Sequence, residues 1–161
     1  MDTIIDAPTT ETNTLHLERR LRAPRALVFR AWTEPAHLRR WSAPHGFDIP
    51  ECDGELRPGG SWHSTLVSPA GERMRLRGTY REITPPERLV FTHAWLDADG
   101  QPGPETVVTV ELDEIPEGTL LRFTQTGFAS AADCDGHDGG WSQCFERLEA
   151  LLAAEAGGAG R

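Results

Sequence analysis

Residues 138–152 have the sequence DGGWSQCFERLEALL and predict a C-terminal helix with one apolar face. Asp138 is a good N-cap residue, because its carboxylate accepts hydrogen bonds from free N–H groups of the first turn. Apolar side chains then recur at the spacing of a single helical stripe: Trp141, Cys144, Phe145, Leu148, Leu151 and Leu152. Such a helix is roughly 22 Å long and spans several strands of a sheet, which lie about 4.8 Å apart.

The chain before this helix predicts a sheet, because short alternating segments are separated by turn sequences such as Pro58-Gly59-Gly60 and Pro69-Ala70-Gly71. Seven strands are predicted, over residues 14–22, 47–56, 61–68, 72–84, 88–97, 105–113 and 119–128. Turns at such short intervals are typical of antiparallel strands. Pro24 and Pro35 are each well placed to start a short helix between the first two strands.

Alternation along the strands predicts which face of the sheet is buried. Leu89, Phe91, His93 and Trp95 share one face of their strand, and Met74, Leu76, Gly78 and Tyr80 share a face of the strand before it, opposite a row of arginines. An apolar face requires a cover, which the last helix supplies. The sequence therefore predicts an α+β domain of order β-α-α-β6-α, a curved seven-stranded antiparallel sheet around a long C-terminal helix.

Length and composition predict one domain and exclude some partners. The domain is expected over residues 14–152, with a disordered N-terminal tail at 1–13 and a flexible C-terminal tail at 153–161. A formal net charge of -9 argues against nucleic acid and anionic membrane surfaces as partners. Three cysteines without metal-like spacing, and no signal peptide, indicate a cytoplasmic protein. The sequence leaves open whether the protein forms a homodimer.

Several short sequences, in order along the chain, carry a family resemblance. They are Ala23-Pro24 leading to Val28-Phe29-Arg30-Ala31-Trp32, Glu34-Pro35, Leu38 to Trp41, Asp53, Arg57-Pro58-Gly59-Gly60, Gly78-Thr79-Tyr80, Pro85-Pro86-Glu87-Arg88-Leu89, Gly118-Thr119 and Gly140-Trp141 followed by Leu148. The chain resembles the AHSA1-like family (activator of Hsp90 ATPase homologue) of the START/SRPBCC helix-grip superfamily. Ser42 departs from the family, which commonly has a second tryptophan there.

The resemblance implies a helix-grip fold with a cavity between sheet and helix, but not one activity. Similar proteins bind lipids, polyketides, antibiotics or plant hormones, some are cyclases or hydrolases, and the family takes its name from a co-chaperone. Fold alone does not decide among these functions.

The residues predicted to contact a ligand are mostly aromatic and come from the inner face of the sheet and the last helix. They are Trp41, Trp62, Leu76, Tyr80, Phe91, His93, Trp95, Phe128, Trp141 and Phe145. His93 is the one histidine that alternation places on the inner face, where it is either a hydrogen-bonded core residue or a polar anchor in a pocket. Arg19 also points inward and requires a partner, which is a ligand acid group, a structural carboxylate or, at the end of the strand, water.

No nucleophile elbow, phosphate loop, zinc motif or dinucleotide fingerprint occurs in the sequence, and no metal or cofactor is predicted. Large aromatic side chains with a few polar tips, facing each other across a curved sheet, are typical of a ligand cavity. The predicted function is binding of a small hydrophobic or amphipathic molecule. The alternatives are a cyclase, hydrolase or isomerase that uses a pocket group such as His93, and a chaperone-assisting, protein-binding domain.

Overall fold

A computed structural model describes residues 13–159 of the chain and the side chains of residues 13–155. Its strands are β1 (Thr14–Leu21), β2 (Asp48–Gly54), β3 (Ser61–Val67), β4 (Arg73–Thr84), β5 (Arg88–Trp95), β6 (Thr106–Ile115) and β7 (Gly118–Thr126). Its helices are α1 (Arg25–Thr33), α2 (Pro35–Trp41) and α3 (Ala131–Ala159). The element order and the seven strands confirm the prediction.

The strands form one curved antiparallel sheet in the order β1-β7-β6-β5-β4-β3-β2. Strands β2 to β7 follow one another as hairpins, whereas β1 pairs with β7, the last strand of the chain. Gly118 makes the return from β6 to β7 fit beside β1, because its φ is 148° and a Cβ there would lie 2.2 Å from the carbonyl oxygen of Leu21. Register shifts in β2 and β4 mark irregularities of the kind that bends a sheet.

Helix α3 begins at Ala131, so the predicted start near Asp138 is wrong. Ser130 caps the helix instead: its Oγ accepts the N–H of Asp133 at 3.1 Å, and its carbonyl accepts the N–H of Cys134 at 3.2 Å. The sequence did not predict these first turns for two reasons. They contain Gly136, Gly139 and Gly140, which have low helix propensity, and they lack an apolar stripe.

The far end of α3 lies at Ala159, beyond the predicted domain boundary at Leu152. The backbone of residues 153–159 is therefore helical, in a segment that the sequence predicted as a flexible tail at 153–161. The predicted N-terminal tail, residues 1–13, lies outside the described residues except for Asn13.

The main core lies between α3, α1 and the inner face of β1, β5, β6 and β7. Its largest fully buried side chains include Trp41, Phe123 and Phe145. A second, smaller cluster of Ala43, Ile49, Leu66 and Leu76 lies under β2, β3 and β4. The sheet thus has a densely packed side and a side with less to fill it.

Candidate ligand cavity

A cavity of about 620 Å³ lies between strands β2 to β5 and the first half of α3. Its remaining walls come from the end of α1, from α2 and from the loop after α2. The lining residues are Trp32, Thr33, Glu34, Pro35, Leu38, Ser42, Pro44, Phe47, Cys52, Asp53, Gly54, Leu56, Trp62, Ser64, Leu66, Met74, Leu76, Tyr80, Phe91, His93, Trp95, Ala132, Asp133, Gly136, His137, Gly140, Trp141 and Cys144. Most of these side chains are apolar or aromatic, as in ligand pockets generally.

Seven of the residues predicted to contact a ligand line this cavity: Trp62, Leu76, Tyr80, Phe91, His93, Trp95 and Trp141. All but Trp141 come from β3, β4 and β5, where simple alternation identified the inner face. The cavity brings these side chains together with the helix residue Trp141, from the opposite wall.

The other three predicted residues, Trp41, Phe128 and Phe145, do not line the cavity. Trp41 is fully buried behind it, and its Nε1 donates a hydrogen bond to the carbonyl of Ala31 at 2.9 Å. Phe145 is also fully buried, in the main core. Phe128 is covered by the ring of His137, with ring centroids 4.8 Å apart. All three side chains are apolar and point inward. The ring of His137 separates Phe128 from the cavity, and the core encloses Trp41 and Phe145.

Trp62 and Phe91 form the aromatic floor of the cavity, with perpendicular rings whose centroids are 5.7 Å apart. The indole of Trp62 is held by a hydrogen bond of 3.2 Å from its Nε1 to the carbonyl oxygen of Thr92. Gly78 makes this position accessible, because a Cβ there would lie 2.6 Å from Nε1 of Trp62 and still closer to the Thr92 carbonyl. A glycine in β4 therefore allows the tryptophan to lie across the sheet.

His93 lies between the aromatic residues, with only 5% of its surface exposed. Ring centroids of Trp95 and His137 lie 5.5 Å and 6.0 Å away. The pKa of His93 is lowered to about 3, mainly by burial and to a smaller extent by the neighbouring His137, with a small opposing effect of its own backbone. His93 is therefore a neutral imidazole at any ordinary pH.

The neutral ring of His93 has a defined hydrogen-bonding character. One nitrogen of a neutral imidazole carries the proton and is a donor. The second nitrogen of a neutral imidazole is then an acceptor. Among the described residues no side chain hydrogen-bonds this ring. The ring of His93, which lines the cavity, therefore has an acceptor nitrogen without a side-chain donor.

His137, which the sequence did not identify as a site residue, lies on α3 above His93. Its Nε2 accepts the indole N–H of Trp95 at 3.0 Å, and its Nδ1 donates to the carbonyl of Asp133 at 2.8 Å. Both bonds are satisfied by one neutral tautomer, with the proton on Nδ1. The signal that identifies His137 is its position four residues before Trp141, which becomes visible once the helix is known to start at Ala131.

A line of buried hydrogen bonds joins the two walls of the cavity. Nε1 of Trp141 donates to Oε1 of Gln125 at 2.8 Å, and Nε2 of Gln125 donates to Oγ1 of Thr106 at 2.8 Å. The hydroxyl of Thr106 donates in turn to the carbonyl of His93 at 3.1 Å. Gln125 is fully buried, and this network satisfies both ends of its amide. The positions of Trp141 and of the His93 backbone are therefore coupled.

Several further lining residues were not predicted, because they lie outside the regular inner face of the sheet. Trp32 ends α1, Phe47 lies in the loop before β2, and Cys52 is at the edge strand. The Nε1 atom of Trp32 is buried and finds no hydrogen-bond partner within the described part of the chain. Ser42, at the family's usual tryptophan position, does line the cavity, and its Oγ donates to the carbonyl of Leu38 at 2.7 Å.

The titratable groups of the cavity do not provide an activated nucleophile. Burial raises the pKa of the Cys144 thiol to about 12, and it also raises the pKa of Cys52. Burial raises the pKa of Tyr80 to about 12 as well, with a smaller contribution from Cys52. These groups are protonated at neutral pH. In residues 13–155, no three His, Cys, Asp or Glu side chains converge as metal ligands.

Charge in the lining is of one sign. Glu34, Asp53 and Asp133 are exposed lining residues, and no arginine of the described residues lines the cavity. Arg19, predicted to point inward, packs its guanidinium 5.6 Å from the ring centroid of Phe145, with Nη2 3.5 Å from the hydroxyl of Ser142. It therefore interacts with α3 rather than with a structural carboxylate or the cavity.

A curved antiparallel sheet that closes over a long C-terminal helix and encloses a cavity defines the helix-grip class of proteins. The sequence also matches the family described as activator of Hsp90 ATPase homolog 1-like protein, over residues 22–153. The chain belongs to this AHSA1 family, as the resemblance predicted.

Solved structures agree with this membership. A protein from Chromobacterium violaceum is 30% identical, with a TM-score of 0.78 over 87% of this chain and 96% of that one. The AHSA1 protein from Silicibacter pomeroyi is 28% identical, with a TM-score of 0.81 over 88% of this chain and 99% of that one. A Nitrosomonas europaea protein is 28% identical, with a TM-score of 0.77 over 91% of this chain and 97% of that one. Comparison with curated proteins gives no match.

Proposed function

We propose that this protein binds a small hydrophobic or amphipathic molecule in the cavity between β2–β5 and α3. The observation that carries the proposal is the cavity itself, about 620 Å³ with a mostly apolar and aromatic lining. Its volume falls within the range of about 300–1,000 Å³ that is typical of small-molecule sites. A void of this size is not an ordinary packing defect, because protein interiors are otherwise close-packed.

Binding is better supported than catalysis. A general acid needs a proton to give near neutral pH, and the low pKa of His93 leaves it neutral. The lining thiols and Tyr80 are protonated and are not nucleophiles. His93, the group that the enzyme alternative names, is therefore a poor general acid, and the protein-binding alternative depends on the family resemblance alone.

A cytoplasmic location is part of the proposal. Its support is that Cys52, Cys134 and Cys144 are all free thiols, as expected in a reducing compartment. None of the helices within residues 13–159 has the length and apolar character needed to cross a membrane. A homodimer stays a prediction.

Two neighbouring glycines of α3 offer a matched test of the cavity. Gly140 lines the cavity, and a Cβ added there has 3.9 Å to its nearest neighbour, Pro44. Gly139 is exposed, lies outside the lining and has open space around it. Replacing either by Leu raises helix propensity by up to about 1 kcal/mol, so neither change should unfold the helix.

We expect Gly140→Leu to occupy the cavity and to weaken binding of the neutral probe N-phenyl-1-naphthylamine at least tenfold. Gly139→Leu should bind it like the parent protein. The measurements are a fluorescence titration for binding and urea unfolding for stability. Equal binding by both variants, or no saturable binding by the parent protein, would contradict the proposed function.

A further inference from the structure

We infer that the ligand's polar group is an uncharged or cationic hydrogen-bond donor, a hydroxyl or an amine, which bonds to the ring of His93, and that the cavity discriminates against carboxylates. This inference rests on the proposed function and names the chemistry of its ligand. Three independent features of the lining carry it: the acceptor nitrogen of His93, the charges at the mouth and the positions of the arginines.

The first feature is the acceptor nitrogen of His93. This nitrogen belongs to a residue that is 95% buried and lines the cavity, and no described side chain donates to its ring. An acceptor that faces a mostly apolar cavity and has no protein donor is satisfied only by water or by a bound molecule. A hydroxyl or amine of a ligand supplies the missing donor, whereas a carboxylate offers only acceptors at neutral pH.

The three tryptophans whose rings pack against His93 do not relieve this acceptor, because the indole N–H of each donates to another protein group. The indole N–H of Trp95 donates to His137, and that of Trp62 donates to the Thr92 carbonyl. The indole N–H of Trp141 donates to Gln125. These tryptophans surround His93 with ring faces and edges, while their N–H groups point to protein partners. The free hydrogen-bonding position beside His93 is therefore left for a bound molecule.

The second feature is the negative charge of the mouth. The exposed lining residues Glu34, Asp53 and Asp133 are all acidic. Glu34 is neutralised in part by Arg30, whose Nε lies 3.2 Å from Oε2 of the glutamate. Neither Asp53 nor Asp133 forms a salt bridge with a described arginine. An approaching anion is repelled at this mouth, whereas a cation is attracted.

The third feature is where the arginines are used. The chain's sixteen cationic side chains are all arginine. Arg147 donates to the carbonyls of Ala43 and Pro44 at 2.8 Å and 3.0 Å, and Arg39 donates to the carbonyl of Pro50 at 2.6 Å. Both hold loops beside the cavity, and neither is among its lining residues. A buried carboxylate would thus have no cation to pair with, which makes its transfer from water costly.

A matched series of probes with one ring system tests this inference. The probes are 1-methylpyrene, 1-pyrenemethanol, 1-pyrenemethylamine and pyrene-1-carboxylate, each titrated against the full chain at pH 7 by energy transfer from tryptophan to pyrene. We expect 1-pyrenemethanol to bind about tenfold more tightly than 1-methylpyrene, because it adds one hydrogen bond to the acceptor nitrogen of His93. The amine should bind at least as tightly as the methyl compound, and the carboxylate at least tenfold more weakly.

His93→Phe keeps an aromatic ring of similar size and removes the acceptor. In this variant the preference for the hydroxyl over the methyl probe should fall from about tenfold to about onefold. His63→Phe is the matched control, because His63 is exposed on β3 and does not line the cavity. This control should keep the full preference.

A measurement on the unmodified chain covers the case in which His93→Phe does not fold. The ¹⁵N shift of the acceptor nitrogen of His93 should move when 1-pyrenemethanol binds and stay unchanged with 1-methylpyrene. If all four probes bind with equal Kd, or the carboxylate binds most tightly, the inference is overturned while the proposed function stands. If none of the four binds, the proposed function is contradicted and the inference falls with it.

Discussion

The inner face of the sheet has two sides, and both face helix α3. The side formed by β1, β6 and β7 is packed against the helix, whereas the side formed by β2 to β5 encloses a cavity. Under β1, β6 and β7, α3 presents Phe145, Leu148 and Leu151, which fill the space completely. Over β2 to β5, the same helix presents Gly136 and Gly140 between the larger His137 and Trp141, and the two glycines leave space unfilled. The strands supply large side chains on both sides. The cavity therefore arises from small residues in the first half of the helix.

The largest expected effect tests whether the packed side carries the stability. Phe145→Ala should lower the free energy of unfolding by about 3–5 kcal/mol, because the side chain is fully buried among neighbours that cannot all collapse. Leu76→Ala should cost only about 1–2 kcal/mol, because Leu76 faces a space that already exists. Urea unfolding measures both. Equal losses would mean that the two sides are equally well packed.

The next effect is a pH dependence confined to the cavity side. His93 has a pKa of about 3 when folded and about 6.5 when unfolded, so the unfolded state binds more protons between these values. Its contribution to stability is present above pH 6.5 and is lost as pH falls, by about 2 kcal/mol at pH 5. The free energy of unfolding, measured with urea, should therefore fall more steeply between pH 7 and pH 5 for the parent protein than for His93→Phe. Parallel curves would mean that His93 is not desolvated.

The smallest effect concerns Gln125, the residue of β7 that links the packed side to the cavity wall. Gln125→Met keeps the volume and removes the hydrogen bonds to Trp141 and Thr106. We expect about 1 kcal/mol of destabilisation, a changed near-UV circular dichroism signal and weaker binding of N-phenyl-1-naphthylamine. Unchanged spectra and binding would show that Trp141 is positioned by packing alone.

The sequence predicted the sheet well, because its signals are local. Alternation in β4 and β5 placed Leu76, Tyr80 and Phe91 on the inner face, and all three line the cavity. The stripe from Trp141 to Leu152 likewise predicted the packed half of α3. These patterns follow directly from the periods of a strand and a helix.

The cavity wall above the sheet was harder to predict. Glycines and aspartates are typical of loops, so their abundance before Trp141 did not predict the first turns of α3, which contain His137. Trp41 and Phe145 have the same chemistry as the lining aromatics, and only their enclosure by other side chains excludes them from the cavity. Which apolar residue faces a void and which faces a neighbour depends on tertiary packing, and no single-residue pattern encodes it.

The pairing of β1 with β7 has a consequence for synthesis on the ribosome. Thr14 pairs with Thr126, so the first strand emerges about 100 residues before β7, the strand with which it pairs. At about 5–20 residues per second, it waits for roughly 5–20 s with Leu15, Leu17 and Leu21 unpaired. Glu18 and Arg20 lie between these leucines, on the exposed face. Their charges make edge-to-edge association of nascent chains less favourable during that interval.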